Sequence, residues 1–181
     1  MQNNRTLLLK KSLLDFYKIS QNSEKLVNVL QKNTEYSLRI LEWFCSNYSK
    51  KHNIIYPVHR NKEFNVYLSY KSQLDSYQKK QFDPFKRKHK GYEKFDLKYD
   101  TNKYIETTVG QLNFFRWCIE NKILDFVKVN IGSIKEDMNK SINYSTNKEQ
   151  PKKNRKKRQP LSLSATRTCV KRYTSVCLNF S

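Results

Sequence analysis

Residues 107–121 read Thr-Thr-Val-Gly-Gln-Leu-Asn-Phe-Phe-Arg-Trp-Cys-Ile-Glu-Asn, and this stretch predicts the helix that organises the fold. Leu112, Phe115 and Ile119 recur at intervals of three and four residues, so a helix would place them on one face. Three more apolar residues widen this face: Phe114, Trp117 and Cys118. One of the two threonines that open the stretch is suited to cap the first turn. We therefore expect a buried helix in which at least Phe115 lies in the core.

Helical spacing predicts further helices on both sides of this stretch. Residues 5–31 are expected to form one or two helices, the second of them capped by Ser23. A clear apolar stripe predicts a helix from about 35 to 51, with Thr34 as its N-cap. After the central stretch two short helices are expected, one from Ile123 and one capped by Ser133 and ending near Ser141.

Alternation of apolar and polar residues predicts short strands between the helices. Residues 54–56 are expected to form a short strand that Pro57 ends, and residues 64–68 form another. Residues 70–80 return to helical spacing. Residues 94–107 predict a hairpin that turns at 100–102, because Asp and Asn favour turns.

These patterns together predict an α+β fold: a small helix-rich domain with short antiparallel strands and a disordered basic C-terminal tail. We divide the chain into an N-terminal helical segment at 1–34, an α+β core domain at 35–142, and a tail at 143–181. The tail is polar, basic and poor in apolar residues, which is typical of disorder. Its last residues, 174–180, alternate again and are a candidate terminal strand.

The chain is strongly basic, and much of its charge lies in the tail. It contains 36 Lys and Arg against 16 Asp and Glu, a formal net charge of +20. The nine charges beyond Glu149 are all positive: Lys152, Lys153, Arg155, Lys156, Lys157, Arg158, Arg167, Lys171 and Arg172. Such a run repels itself unless a polyanion neutralises it, so nucleic acid is the expected partner and an anionic membrane the next. We predict phosphate contacts from the six basic residues within 152–158; nuclear import and solubility are the alternative roles.

A second basic cluster is expected in a loop at residues 86–90. Its candidate phosphate contacts are Lys86, Arg87, Lys88 and Lys90. Aromatic residues flank the loop: Phe82, Phe85, Tyr92 and Phe95. Rings beside cations suit single strands, because bases stack on the rings while the cations follow the backbone. Aromatic residues beside strands more often pack inward, so we expect these rings in the core and the loop alone at the surface.

Other sites that act on nucleic acids match the sequence less well. The two helices after residue 107 resemble a helix-turn-helix, but the second is short and carries Asp125, which would repel phosphate. Asp83, Asp96 and Lys98 form a loose nuclease-like set, which would need both carboxylates on one Mg²⁺. We therefore expect a protein without catalytic activity and keep the nuclease as the alternative.

Metal, cofactor and membrane chemistry are not expected either. Cys45, His52 and His59 recur every seven residues, but no fourth ligand follows, so no zinc site is predicted and no cofactor is implied. The four cysteines have no close pairing and are expected to be reduced. No apolar run approaches the roughly 20 residues that span a bilayer, so we expect a soluble, intracellular protein.

Three segments of the chain resemble a family of small basic proteins of the nucleocytoplasmic large DNA viruses, the giant viruses. They are Phe64–Leu74, Lys80–Arg87 and Glu106–Trp117, and the resemblance extends over about residues 35–166. The resemblance implies a viral setting and carries no catalytic residues. Location in the virion or in the cytoplasmic viral factory is then expected, with the host nucleus as an alternative.

The predicted function combines this setting with the charge. We expect a sequence-independent nucleic-acid-binding viral protein, with DNA favoured over RNA, that serves genome packaging or the organisation of replication compartments. The alternative is a virion structural or scaffold protein whose basic tail holds a capsid protein or another acidic partner.

Overall fold

The residues with apolar periodicity form helices and two short hairpins in a computed structural model of the protein. The structure describes residues 4–58, 62–87 and 94–146, with side chains through Ser141. The elements in chain order are α1 (Asn4–Tyr17), α2 (Ser20–Leu30), α3 (Leu38–Trp43), a π-helical turn (Phe44–Tyr48), α4 (Ser49–His52), β1 (Ile55–Pro57), β2 (Glu63–Asn65), α5 (Val66–Gln81), β3 (Phe95–Asp100), β4 (Lys103–Thr107), α6 (Val109–Glu120), α7 (Ile123–Val129) and α8 (Ile131–Thr146). The predicted α+β class, helix-rich with short antiparallel strands, is confirmed for these residues.

Helix α6 lies at the centre of the core, as its sequence predicts. The Thr108 hydroxyl caps it by accepting a hydrogen bond from the Gln111 backbone N–H at 3.2 Å. Nine of its twelve residues are buried, and Phe115 has an exposed fraction of 0%. A helix buried on nearly all sides must be covered by other elements. All the other helices except the short α4 supply side chains to the same core, and residues of both hairpins lie in it or pack against it.

Polar residues of α6 are buried with their hydrogen bonds made. The Gln111 side-chain amide donates to the Pro84 carbonyl at 2.8 Å and accepts from the Thr107 hydroxyl at 3.0 Å. The Asn113 amide donates to the Gln81 carbonyl at 2.9 Å. Buried polar groups are tolerated only when paired. These pairs join α6 to the last residue of α5, to Pro84 shortly after it and to the end of β4.

The N-terminal helices share this core. The Tyr17 hydroxyl at the end of α1 donates to the Leu112 carbonyl at 2.8 Å, and burial raises the Tyr17 pKa well above its usual value. Leu13 in α1 and Leu26 in α2 are fully buried in the same cluster as Phe115. The division of the chain into three parts stays a prediction, but the core draws on residues from both sides of its boundary at 34.

Two antiparallel hairpins complete the fold. β1 and β2 pair Tyr56 with Phe64, and β3 and β4 pair Leu97 with Ile105. The turn at 101–102 lies where Asp and Asn predicted it. Leu97 is buried while its two neighbours in β3 are exposed, which is the alternation expected of a strand with one face on the core.

Several predicted element ends are wrong, each for a local reason. The strand at 64–68 stops at Asn65, whose side chain accepts from the Leu68 N–H and so caps α5, and Leu68 is 64% exposed on that helix. The N-cap of α3 is Ser37, because Thr34 instead donates to the Tyr36 carbonyl. Helix α2 begins at Ser20 and buries Ser23, whose hydroxyl donates to the Ser20 carbonyl.

The C-terminal helix is also longer than its sequence predicts. It begins at Ile131, before the predicted cap at Ser133, and continues to Thr146, beyond the predicted boundary at 142. Extending an existing helix adds one hydrogen bond per residue without a new nucleation step, so polar residues can continue it. The rest of the predicted tail and the candidate strand at 174–180 lie outside the described residues. None of the helices described is both long and apolar enough to cross a membrane.

A buried carboxylate fastens α8 to the helices that precede β1. Asp137, whose side chain is 8% exposed, accepts hydrogen bonds from the Lys51 ammonium and from the Trp43 indole N–H, the latter at 3.2 Å. The His52 Nε2 lies 3.6 Å from the same carboxylate. Burial raises the pKa of Asp137, but the hydrogen bonds from Lys51 and Trp43 and the Lys51 charge outweigh burial and leave the pKa below its usual value.

Asp137→Asn should therefore destabilise the protein by about 1–3 kcal/mol at about pH 7, the range for a lost hydrogen bond to a charged group. Because the folded-state pKa is depressed, this stability is present above the unfolded pKa of about 3.9 and is lost as the pH falls through the folded value. Urea denaturation of both proteins at about pH 7 and about pH 3 measures the difference. The control is Glu136→Gln at the adjacent exposed residue, which should change the stability little. If Asp137→Asn and the parent are equally stable at about pH 7, the hydrogen bonds to Asp137 do not stabilise the fold.

Candidate nucleic-acid interface

The predicted basic loop leaves the core through a buried turn that follows α5. Phe82 is 1% exposed and packs against Tyr70, Phe114 and Trp117, with ring centroids 5.3–6.0 Å apart. Its ring therefore cannot stack on a base, which confirms for Phe82 the expectation that the flanking aromatic residues pack inward.

The other described rings beside the loop are half-buried and have cations over their faces. The Arg87 guanidinium carbon lies 4.8 Å from the centroid of the Phe85 ring, and the Lys10 ammonium lies 4.1 Å from that of Phe95. A base would have to displace these cations before it could stack on either face. The described part of the loop therefore offers charge and no free stacking platform.

Two of the predicted phosphate contacts, Lys86 and Arg87, lie within the described residues, and each forms an ion pair with an acidic side chain. Arg87 Nε lies 3.4 Å from Asp83 Oδ2, and Asp83 is buried with its other oxygen accepting from the Phe85 N–H at 3.0 Å. Lys86 Nζ lies 3.3 Å from Glu106 Oε1 on β4. Part of the positive charge that Lys86 and Arg87 would present to a phosphate is thus neutralised within the protein.

Glu106 joins the two ends of the loop. Lys94, just before β3, also lies 3.2 Å from the same Glu106 oxygen. Hydrogen bonds from Lys94 and then from Lys86 hold the Glu106 pKa below its usual value. Glu106 was not among the site residues predicted from the sequence. The predicted hairpin could have indicated Glu106, because its pairing places Glu106 opposite Asp96, two residues after Lys94.

The remaining predicted contacts lie outside the described residues. They are Lys88, Lys90, Lys152, Lys153, Arg155, Lys156, Lys157 and Arg158. For them the prediction rests on the charge pattern alone.

The pair of helices α6 and α7 forms a hairpin whose second helix offers little to a DNA groove. The Tyr56 hydroxyl donates to the carbonyl of Asn121 between the two helices at 2.9 Å, and the Tyr56 ring stacks on Phe126 of α7 with centroids 5.0 Å apart. α7 is seven residues long and buries Ile123, Leu124 and Val127. Few polar side chains remain to read base edges.

The nuclease-like residues differ sharply in their surroundings. Asp83 is buried beside Arg87, whereas Asp96 and Lys98 are exposed on β3, with Glu106 and Tyr104 as their respective partners on β4. Within residues 4–58, 62–87 and 94–146, no group of three or more His, Cys, Asp or Glu is placed to hold a metal ion.

Of the three residues at seven-residue spacing, Cys45 and His52 lie within the described residues. Cys45 and Cys118 are buried free thiols, and burial raises the pKa of Cys118 well above its usual value. His52 lies beside Asp137 with its ring 4.3 Å from Tyr48, and His59 is outside the described residues. The two buried thiols act as small apolar residues of the core.

Fold and charge together define a small, mostly helical α+β protein with a basic C-terminal segment. The chain belongs to the Family of unknown function (DUF7197), whose model matches residues 1–166. It is similar to Uncharacterized protein L507 of Acanthamoeba polyphaga mimivirus, with 40% identity over 138 residues. The aligned part is 74% of this chain and 50% of that protein, so the chain spans about half the length of the relative. The relative supports the giant-virus family that the sequence resembles, and no solved structure matches the chain.

Proposed function

We propose that the protein is a non-enzymatic, sequence-independent nucleic-acid-binding protein of giant viruses that serves genome packaging or the organisation of replication compartments. The observation that carries this proposal is the run of six cations at 152–158, which no acidic residue follows to the end of the sequence at Ser181. Cations that neutralise phosphates release condensed counterions, and this release favours binding to any sequence alike.

The rest of the chain supports binding that does not depend on sequence. With nine of the +20 charges beyond Glu149, a formal +11 remains for residues 1–149, so the body also attracts a polyanion. Sequence readout needs side chains that reach base edges from a helix or a strand in a groove. Among the described residues, only the pair α6 and α7 resembles a recognition motif. Its second helix is short and buries Ile123, Leu124 and Val127.

The full chain should bind two short DNA duplexes of unrelated sequence with equal affinity, as measured by fluorescence anisotropy. Counterion release also predicts that affinity falls steeply between about 50 and 200 mM salt. A matched RNA duplex in the same titration tests the preference for DNA. No binding to any of the three at low salt would overturn the proposal, and a large preference for one DNA sequence would overturn its sequence independence.

The full chain should leave plasmid DNA intact in the presence of Mg²⁺ or Mn²⁺. Cleavage would require Asp83 and Asp96 to share a metal with Lys98 beside it, yet Asp83 is buried against Arg87. Agarose gels after incubation measure nicking directly. Nicking that is lost in Asp96→Ala but kept after deletion of 151–172 would establish the nuclease alternative, because charge alone does not distinguish these variants.

The same cationic tail would also suit a virion scaffold protein that holds an acidic capsid partner. Fractionation of purified particles separates the two roles. A nucleic-acid-binding protein should leave the particle with the released genome, whereas a scaffold protein should stay with the shell.

A further inference from the structure

We propose that the cleft between the start of α1 and the end of α5 binds a backbone phosphate of the nucleic-acid strand, which makes it a second contact besides the tail. Arg5, Ser76, Gln78 and Lys80 line this cleft of about 260 Å³, together with Thr6 and Gln81. The inference rests on the proposed function for the identity of the ligand, and on the geometry of the cleft for its location.

The floor of the cleft is a fixed joint between two helices. The Gln81 side-chain amide donates to the buried Thr6 hydroxyl at 3.0 Å, which ties α5 to α1. The Gln81 carbonyl in turn accepts from the Asn113 side chain of α6 at 2.9 Å. Residues on rigid, packed elements hold a ligand in place better than residues on a loop, so this joint gives the cleft a defined shape.

A strained backbone forms one wall of the cleft. Gln78 interrupts α5 with φ 56° and ψ 170°, a conformation that residues other than glycine rarely adopt. Two residues further on, α6 packs closely against the end of α5, where a Cβ on Gly110 would lie only 3.2 Å from the Lys80 carbonyl. Conformations like that of Gln78 cluster at active sites and ligand-binding sites, where the surrounding structure maintains them.

The lining of the cleft suits a phosphate in both charge and hydrogen bonding. Arg5 and Lys80 are exposed, and neither forms an ion pair with any acidic residue that the structure describes; no carboxylate lines the cleft. A guanidinium binds two phosphate oxygens at once, and an ammonium adds a compact charge. The Ser76 hydroxyl and the Gln78 amide add uncharged donors.

The contrast with the basic loop favours the cleft as the contact on the body. Lys86 and Arg87 face Glu106 and Asp83, whereas both cations of the cleft are free of such partners within the described residues. The cleft of about 260 Å³ is large enough to admit one phosphate group of a strand.

The double variant Arg5→Gln/Lys80→Gln in the full chain tests the site. Each lost phosphate contact lowers the steepness of log K against log salt by about 0.9 on duplex DNA, so two lost contacts should lower it by about 1.8. The control Lys25→Gln/Lys135→Gln removes the same charge from exposed positions on α2 and α8 that do not line the cleft, and it should leave the slope unchanged. Equal slopes for the two double variants would overturn the cleft contact.

A titration with inorganic phosphate, followed by the NMR amide shifts of Thr6, Ser76 and Gln78, adds a direct readout. We expect shifts in the parent and none in Arg5→Gln/Lys80→Gln. If these amides shift but both double variants bind DNA equally, the cleft holds free phosphate only and the assignment to a strand is wrong. If deletion of residues 151–172 abolishes DNA binding while Arg5→Gln/Lys80→Gln binds DNA as its control variant does, the proposed function stands and this inference fails. If the parent binds no nucleic acid, both fail.

Discussion

Phe115→Ala is expected to lower the free energy of unfolding by about 3–5 kcal/mol, the range for removing a fully buried phenylalanine. Phe115 has no exposed surface, and its ring meets Phe114 edge-to-face with centroids 5.8 Å apart. Elements that precede and follow α6 among the described residues share its core, so the cavity cannot close by moving a single loop. Because ordinary domains are stable by only about 5–15 kcal/mol, the variant should be close to unfolding at room temperature.

Urea denaturation followed by tryptophan fluorescence measures this effect, since Trp117 lies in the same core and Trp43 at its edge. Tyr104→Ala is the matched control: it removes an aromatic ring that is 59% exposed on β4 and should cost far less. If Phe115→Ala and Tyr104→Ala destabilise the protein equally, α6 is not the centre of the core.

Deletion of residues 151–172 is expected to reduce the affinity for duplex DNA by orders of magnitude at moderate salt. The deleted segment holds nine cations, and full engagement of all nine predicts a slope of log K against log salt of up to about −8. The deletion should flatten this slope and weaken the binding of all sequences alike. Anisotropy titrations at several salt concentrations give both the affinity and the slope.

Two further variants separate charge from chain length in this experiment. Replacement of the nine cations by glutamine keeps the length and should reproduce the effect of the deletion. Lys→Arg at the four lysines of 152–157 keeps the charge and should keep the slope. Equal affinity with and without the tail would refute the proposed role of this segment.

Sequence alone predicted the elements that local interactions decide. The central helix at 109–120 and the hairpin at 95–107 form where a cap, a turn and an apolar period all agree. Prediction failed at residues 66–68, where Asn65 caps a helix although the apolar alternation indicates a strand. The local sequence is compatible with both a strand and a helix at these residues. In the structure they are helical, and Val66 is buried.

At the candidate site, too, some properties follow from the sequence and others only from the folded structure. The positive charge of Lys86 and Arg87 follows from the sequence, but their neutralisation by Glu106 and Asp83 does not. Lys86 and Glu106 are twenty residues apart, and Lys80 and Arg5 are seventy-five apart. Spacing in the sequence carries no information on which of these side chains meet, because only the packing of separate elements brings them together.

The basic character of the chain, the run of cations after Glu149 and the helical period of residues 109–120 can all be read from the amino-acid sequence without a structure. These properties depend on composition and on neighbours within a few residues. The tertiary structure decided which cations remain free, where the Gln78 backbone is held in a strained conformation, and that a cleft opens between α1 and α5. Burial, pairing and strain arise from contacts between residues that are distant in the sequence, and such contacts exist only in the folded chain, where the elements pack around α6.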